Sequence, residues 1–568
     1  MKINKQGINS LLRFVKAVVS SFNIKQQIVF GLFSTLLIVS SLVLIFKLNE
    51  ELKVSVPQKG GSISEGIVGT PRFINPVIAV SNADRALTSI VFSGLLKKDE
   101  NGNIVPDIAN SYEISEDGKT YTFFIKENLT FHNGQKLTAE DVVFTIEKIK
   151  DPAIKSPLRA EWEGITVQAV DEMTVEFNLD KAFSPFIEYV TVGVLPKSLW
   201  QDIYAEEFAL TDYNLYAIGS GPYEISGISK NDGVPDAFVL KSFKDYSLGE
   251  PFIKNITIKS FDSEEEAAKS FRAGNIDLVG ILSTDNSEAI TKNAEKVEVS
   301  TLPRIFSIFI NPTNNEILGD QKLLTTLSGA INRDELVKNV LDGFGVSLYG
   351  PLPENNYPKY IKTLSAEEAG AALDELGWQL NGENIRNKEI NKKKVYLSFT
   401  LSTSDAPALS ETARMVSEMM ATVGVEIKVQ PYEIGTLNQD IIRPRDYEML
   451  LFGQVLASDT DLYSFWHSSQ RNDPGINVGK YASVRADSLL EQAVEEIDRE
   501  EQKKLLAEAA DVIARENGAI FLYAPSYIYA LNKDIGNLSI NKISSTVDRF
   551  ANIEDWYVLT ERVWKIFK

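Results

Sequence analysis

The residues best suited to chemistry lie in one stretch, 447–468, which reads YEMLLFGQVLASDTDLYSFWHS. A β-rich run ends in a polar loop that carries Asp459 and Asp461, and Tyr463, Phe465 and Trp466 follow at once. A carboxylate held where water is excluded makes strong, charge-assisted hydrogen bonds to a cation. Aromatic rings beside it are suited to wall a pocket, so the stretch reads as a ligand site. Arg72 and Asn75, in the segment TPRFIN, and Arg304, just before an apolar run, are further lining candidates. A guanidinium offers a planar fork to a carboxylate.

Catalytic sets are missing from the sequence. Its two histidines, His132 and His467, are far apart, and there is no HExxH helix, GxSxG elbow or Walker-type loop. No cysteine occurs, which removes disulfides, thiolate metal sites, cysteine nucleophiles and lipid attachment through cysteine. No catalytic residue, metal ligand or cofactor is expected. Net charge is −20, which argues against nucleic-acid binding, since phosphate recognition needs a basic surface. The composition, 44% hydrophobic and 24% charged over 568 residues, is that of a globular chain with a sizeable core.

The first fifty residues differ from the rest. Residues 28–46, from Ile28 to Phe46, carry no charge, and their roughly 19 residues span about 28 Å as a helix, close to a bilayer core. Lys2, Lys5, Arg13, Lys16 and Lys25 precede them, with no acid before Glu50. The positive-inside rule places residues 1–27 in the cytoplasm as a basic tail and everything beyond the helix outside. A cleaved signal peptide is the alternative, but its apolar run is shorter and ends in a small-residue cleavage site. Residues 8–22 place apolar side chains at helical spacing, which fits an interfacial helix as well as a loose tail. Residues 47–59 read as a tether.

Beyond the tether, strand-like and helical patterns alternate, which indicates α/β layering. Residues 63–68 and 90–92 read as strands, residues 487–517 as one long helical stretch, and residues 305–311 and 519–523 as short, very apolar strands.

The stretch 106–149 names a family. It reads PDIANSYEISEDGKTYTFFIKENLTFHNGQKLTAEDVVFTIEKI. It resembles the signature of the large solute-binding proteins of ABC importers, the peptide/nickel class. One shorter echo precedes it, GG at 60–61, and four follow in order: GSGPY at 219–223, AINRD at 330–334, LGW at 376–378, and a helix leading into GVEIKV at 424–429. The similarity spans about residues 59 to 560. It implies a two-lobed, hinged α/β fold of the periplasmic-binding-protein kind with an extra small domain, here preceded by one transmembrane helix. Lobe I would comprise 57–105, 218–304 and 526–568, the small domain 106–217, and lobe II 305–525. The implied function is capture of a peptide or similar small solute by hinge closure and delivery to an ABC permease with its ATPase subunits. The receptor would be a monomer at the plasma membrane with its binding domain extracellular or periplasmic. The alternative is a sensor or envelope-assembly protein using the same fold without a permease. In the family's peptide binders an aspartate in the loop equivalent to 457–461 pairs with the ligand's α-ammonium. This chain has Gly453 and Gln454 where many members have Gly-Trp, and no proline follows its aspartates. The role therefore falls to either Asp459 or Asp461.

Overall fold

The computed structural model describes residues 5–282, 287–353, 362–382, 384–456 and 461–565, with side chains from residue 13 onward. They form two compact units. The larger is Lys59–Val558; the smaller joins the chain up to Gln58 with the chain from Leu559 on.

A sheet of twelve strands organises the larger unit. Its axis is the strand Ile520–Leu531, which is buried along nearly its whole length. Phe521 and Tyr523 pair with Arg304–Ile310, while Ser526–Leu531 pair with Lys296–Thr301. The change of partner falls at Pro525, where a missing N–H loosens the ladder. Leu302 and Pro303 make the same passage between Lys296–Thr301 and Arg304–Ile310. On one side the sheet continues through Met449–Val455, Ser398–Ser404 and Glu426–Tyr432. On the other it continues through Leu278–Ile281, Ser62–Val68, Asn255–Phe261, Val234–Ser242 and Tyr223–Asn231.

Each side has its own core. In the second lobe, strand alternation sends Ile308 and Ile310 to one face and Ile305 and Phe309 to the other, so two cores sandwich the sheet. In the first lobe one continuous core also takes in Phe123 and Phe177 of a four-stranded antiparallel sheet, with Trp162 packed beside Phe177. That sheet, Ala109–Ile114, Thr120–Ile125, Thr174–Leu179 and Ile165–Asp171, with helix Ala139–Lys150, is the small domain. Thr138 and Asp141 form the capping box that starts this helix. A shared core makes the small domain and the first lobe one packed body.

Three expectations need correction. Ile90 and Val91 belong to helix Asn82–Val91, whose Ala83, Ala86, Leu87 and Ile90 face the core, so a helical period outweighs the strand-like composition there. The stretch 487–517 is two helices, Val484–Glu495 and Arg499–Arg515, because Asp498 caps the second by accepting from the Glu500 and Glu501 N–H groups. Residues 47–59 are not a free tether: Lys53–Gln58 is a strand, paired residue for residue with Leu559–Trp564. Residues from 559 on therefore belong with the smaller unit and not with lobe I.

In the smaller unit, helix Ile24–Glu51 opens with a capping box between Asn23 and Gln26. It is long and apolar enough to cross a membrane, and none of its residues is buried. Helix Lys5–Ser20 precedes it, and Phe22 meets Phe30 edge-on at 5.9 Å.

Candidate functional site

The signature residues that name the family are mostly seam. His132 accepts the Gly219 N–H at Nδ1 (3.3 Å) and reaches the Gly221 carbonyl from Nε2 (3.0 Å). Its own N–H donates to the Gly219 carbonyl at 2.8 Å. The FHNG turn of the small domain is thus stitched to the GSGPY turn of the first lobe. A side chain at Gly219 would lie 2.1 Å from the Val91 carbonyl, so only glycine fits. Burial drives the His132 pKa down to about 4, so the ring is neutral here. Arg333, from AINRD, is fully buried; it donates to the carbonyls of Ser328, Ile331, Leu348 and Phe521. Burial lowers its pKa to about 10.

Segments distant in the chain converge on one open space. An open cavity of about 440 Å³ is bounded by Lys98 and Lys542 of the first lobe, Ser184 and Glu188 of the small domain, Pro303 at the crossing, and Leu456 and Arg499 of the second lobe. Among the described residues its charged lining is Lys98, Arg499, Lys503 and Lys542 with one acid, Glu188, which pairs with Lys98 at 3.4 Å. Beside it a wider groove of about 1420 Å³ runs between the small domain and the second lobe, lined by Glu161, Tyr189, Tyr463 and Glu491 among others. Glu161, on this groove, lies in the field of Asp461: burial and the Asp461 charge both raise its pKa. Tyr189 stands in the same field, its phenol pushed to about 12 by burial, Glu161 and Asp461. A negative field of this kind favours a cation beside Glu161.

The lobes also touch directly. Ser184 of the small domain donates to the Val494 carbonyl from both its N–H (3.3 Å) and its hydroxyl (3.2 Å), and Gln502 donates to Ser184 Oγ. The turn at Gly118, in the left-handed region at φ 68°, sits so close to Ile497 that a side chain there would lie 2.9 Å from it. These contacts form a latch between the small domain and the second lobe.

The candidates from the sequence scatter. Asp461 stands at the start of helix Leu462–Trp466, and Tyr463 faces the groove, stacked on His467 at 4.3 Å. Phe465 is half-buried against the second-lobe core. Trp466 is not a pocket wall: it is fully buried between Phe309, Tyr481 and Phe521. Asn75 is likewise structural, buried and committed to Asn214 and the Val77 N–H. Arg72 is exposed, with its backbone N–H on Asp84. Arg304 is half-buried on the crossing strand opposite Val455; burial lowers its pKa, against the pull of Glu264. Asp459 lies outside the described residues. Sequence reasoning missed Glu161, Tyr189, Glu188 and Arg499, because each comes from a segment distant in the chain and carries no motif.

Residues 103–474 match the family described as "Bacterial extracellular solute-binding proteins, family 5 Middle". The oligopeptide-binding protein AppA of Bacillus subtilis is 29% identical over 517 residues, covering 88% of this chain and 92% of AppA. The structure of AppA in complex with a nonapeptide superposes with a TM-score of 0.64 at 27% identity, covering 89% of this chain and all of that one. The unliganded open form of MppA, a periplasmic murein tripeptide binding protein, gives a TM-score of 0.76 at 19% identity, over 89% of this chain and 99% of MppA, a likeness of fold.

Proposed function

The chain belongs to the bacterial extracellular solute-binding proteins of family 5, and from that premise we propose a membrane-anchored peptide receptor. It is a substrate-binding receptor of an ABC importer, with no catalytic role. The ligand we infer is a short zwitterionic solute, foremost a peptide. The observation that carries this is the opposed charge of the two cavities. A ligand ammonium between Asp461 and Glu161 would relieve their repulsion, and a ligand carboxylate would meet the basic lining set by Lys98, Arg499 and Lys542. Main-chain hydrogen bonds would make binding tolerant of peptide sequence.

The rigid bodies of closure would be 59–105, 218–304 and 526–558 with the small domain 106–217, moving against 305–525. The crossings at Pro303 and Pro525 would be the hinges, and the latch at Ser184 would close only in the shut form. A ligand shifts that equilibrium by its differential affinity for the closed form. Helix Ile24–Glu51 would stay in the membrane and keep the receptor beside a permease without a lipid. Support comes from the uncharged run, the basic residues before it and the helix's continuation past Phe46 to Glu51.

Native mass spectrometry of the full chain, purified in detergent without refolding, tests the ligand. A ladder of added masses matching short peptides is expected, and Asp461→Asn should thin it. A single non-peptide mass that survives Asp461→Asn would overturn the peptide reading.

A further inference from the structure

The smaller unit holds two stretches about 500 residues apart in sequence. Lys53–Gln58 and Leu559–Trp564 pair antiparallel along their whole length, Lys53 opposite Trp564 and Gln58 opposite Leu559. The pairing also reaches the helix. Arg562 donates from Nη1 to the Glu50 carboxylate and from Nη2 to the Glu50 carbonyl (3.0 Å). The Lys565 N–H donates to the carbonyl of Leu52, the helix C-cap, at 2.8 Å. A guanidinium at this place also answers the negative end of the helix dipole. The strand 559–564 therefore grips the end of helix Ile24–Glu51.

This grip brings an apolar rim together. Leu48 and Leu52 are exposed at the helix end, and Trp564 is exposed opposite Lys53. Of the six tryptophans, Trp162, Trp200, Trp378, Trp466 and Trp556 are at most 2% exposed, while Trp564 is 44% exposed. Leu52 lies about 9 Å beyond Phe46 at ~1.5 Å per residue. The headgroup zone of each leaflet adds roughly 5–8 Å to the hydrocarbon, within reach of an indole ring. Tryptophan is favoured at that depth, where one end of its ring is apolar and the other wet. Lys47, Lys53 and Lys565 flank the rim.

We propose that the strand Leu559–Trp564 is a membrane-proximal clasp, which locks onto the end of the membrane helix and seats Trp564 in the headgroup layer of the outer leaflet. The ligand-binding unit is then joined to its anchor at both ends, at Gln58 and at Leu559, by a two-stranded ribbon instead of a single free linker. The proposal rests on the reading of helix Ile24–Glu51 as a retained anchor.

The full chain is reconstituted in phosphatidylcholine–phosphatidylglycerol vesicles whose acyl chains carry bromine just below the headgroups, and insertion is scored separately by resistance to alkaline carbonate. Bromine quenches tryptophan at contact distance, and five of the six tryptophans are buried in protein. Quenching of the wild type and its loss in Trp564→Phe are expected. An inserted chain whose quenching is the same with and without Trp564 overturns the clasp alone. A chain that carbonate extracts overturns the anchor and the clasp together. Because the chain has no cysteine, the ribbon has its own test. Oxidation should close a disulfide in Val54→Cys with Val563→Cys, which are opposite in register, and not in Ser55→Cys with Val563→Cys, which face opposite sides. Failure of the first pair to close overturns the ribbon in any solvent.

Discussion

In the interior of the first lobe Glu65 meets Arg549, whereas in the cleft Glu161 meets Asp461. Both interior groups are buried, and the guanidinium donates to the carboxylate at 2.6 Å. The Tyr529 hydroxyl donates to the other Glu65 oxygen at 2.8 Å. Burial works against the Arg549 charge, but Glu65 and the tyrosines beside it outweigh that and hold its pKa above the usual value. Glu161, by contrast, is pushed up by burial and by the field of another carboxylate, Asp461. Charges that complete each other inside the protein serve the fold. Like charges within each other's field oppose ionisation and favour a cation beside them.

If that distinction is right, interior variants should lose stability and cleft variants should lose affinity. The largest effect is expected for Glu65→Gln or Arg549→Met, each of which strands a buried charge or its partners. Denaturant unfolding should show a loss of about 3–5 kcal/mol. Unchanged stability would dissolve the comparison. Arg333→Met should cost roughly 3 kcal/mol by the same measurement, since several buried carbonyls lose their donor. The survivors of both should bind ligand with unaltered affinity.

His132 supplies a pH dependence. Its folded pKa, about 4, lies below the ordinary value of 6.5, so the unfolded chain binds the proton more readily. Its contribution is fully present above about pH 6.5 and is lost as pH falls toward 4, at most about 3 kcal/mol in all. Unfolding free energies measured across that window should fall with pH, and His132→Asn should flatten that part of the slope.

The cleft variants are smaller in energy and opposite in kind. Asp461→Asn should weaken ligand binding about tenfold, equivalent to ~1.4 kcal/mol, in a titration at neutral pH. The ligand-free melting temperature should hold or rise, because a repulsion is removed. Glu161→Gln should do the same, and a fall in apo stability for either would place that residue with the interior. Smallest is the latch. Ser184→Ala with Gln502→Ala should loosen binding by roughly two- to fivefold through faster dissociation, about 1 kcal/mol for lost hydrogen bonds in the closed form.

Much of the fold is legible in the chain because its devices are local. The capping boxes at Thr138 and Ser365, the helix start at Ser263 and the alternation of Thr120–Ile125 all involve residues within a few positions of each other. The same locality explains the misreadings. Ile90 through Phe92 look like a strand when read alone, and only packing of the preceding turns against the core shows a helix. Trp466 looked like a pocket wall because it follows two aspartates, yet its ring points into the second-lobe core. Its neighbour Tyr463 lines the groove, while Trp466 is packed among Phe309, Tyr481 and Phe521.

The amino-acid sequence by itself determined the family, the lack of cysteine chemistry and the run able to cross a membrane. These depend on residue order, charge and local periodicity, which survive without a folded chain. Tertiary structure decided that Glu161 lies in the field of Asp461, that Ser184 closes on Val494, and that Lys53–Gln58 is half of a ribbon with Leu559–Trp564. Each joins segments far apart in the chain. Strand pairing and electrostatic contact act through distance in space, and in this protein that distance is set by two lobes and a long shared strand, not by position in the sequence.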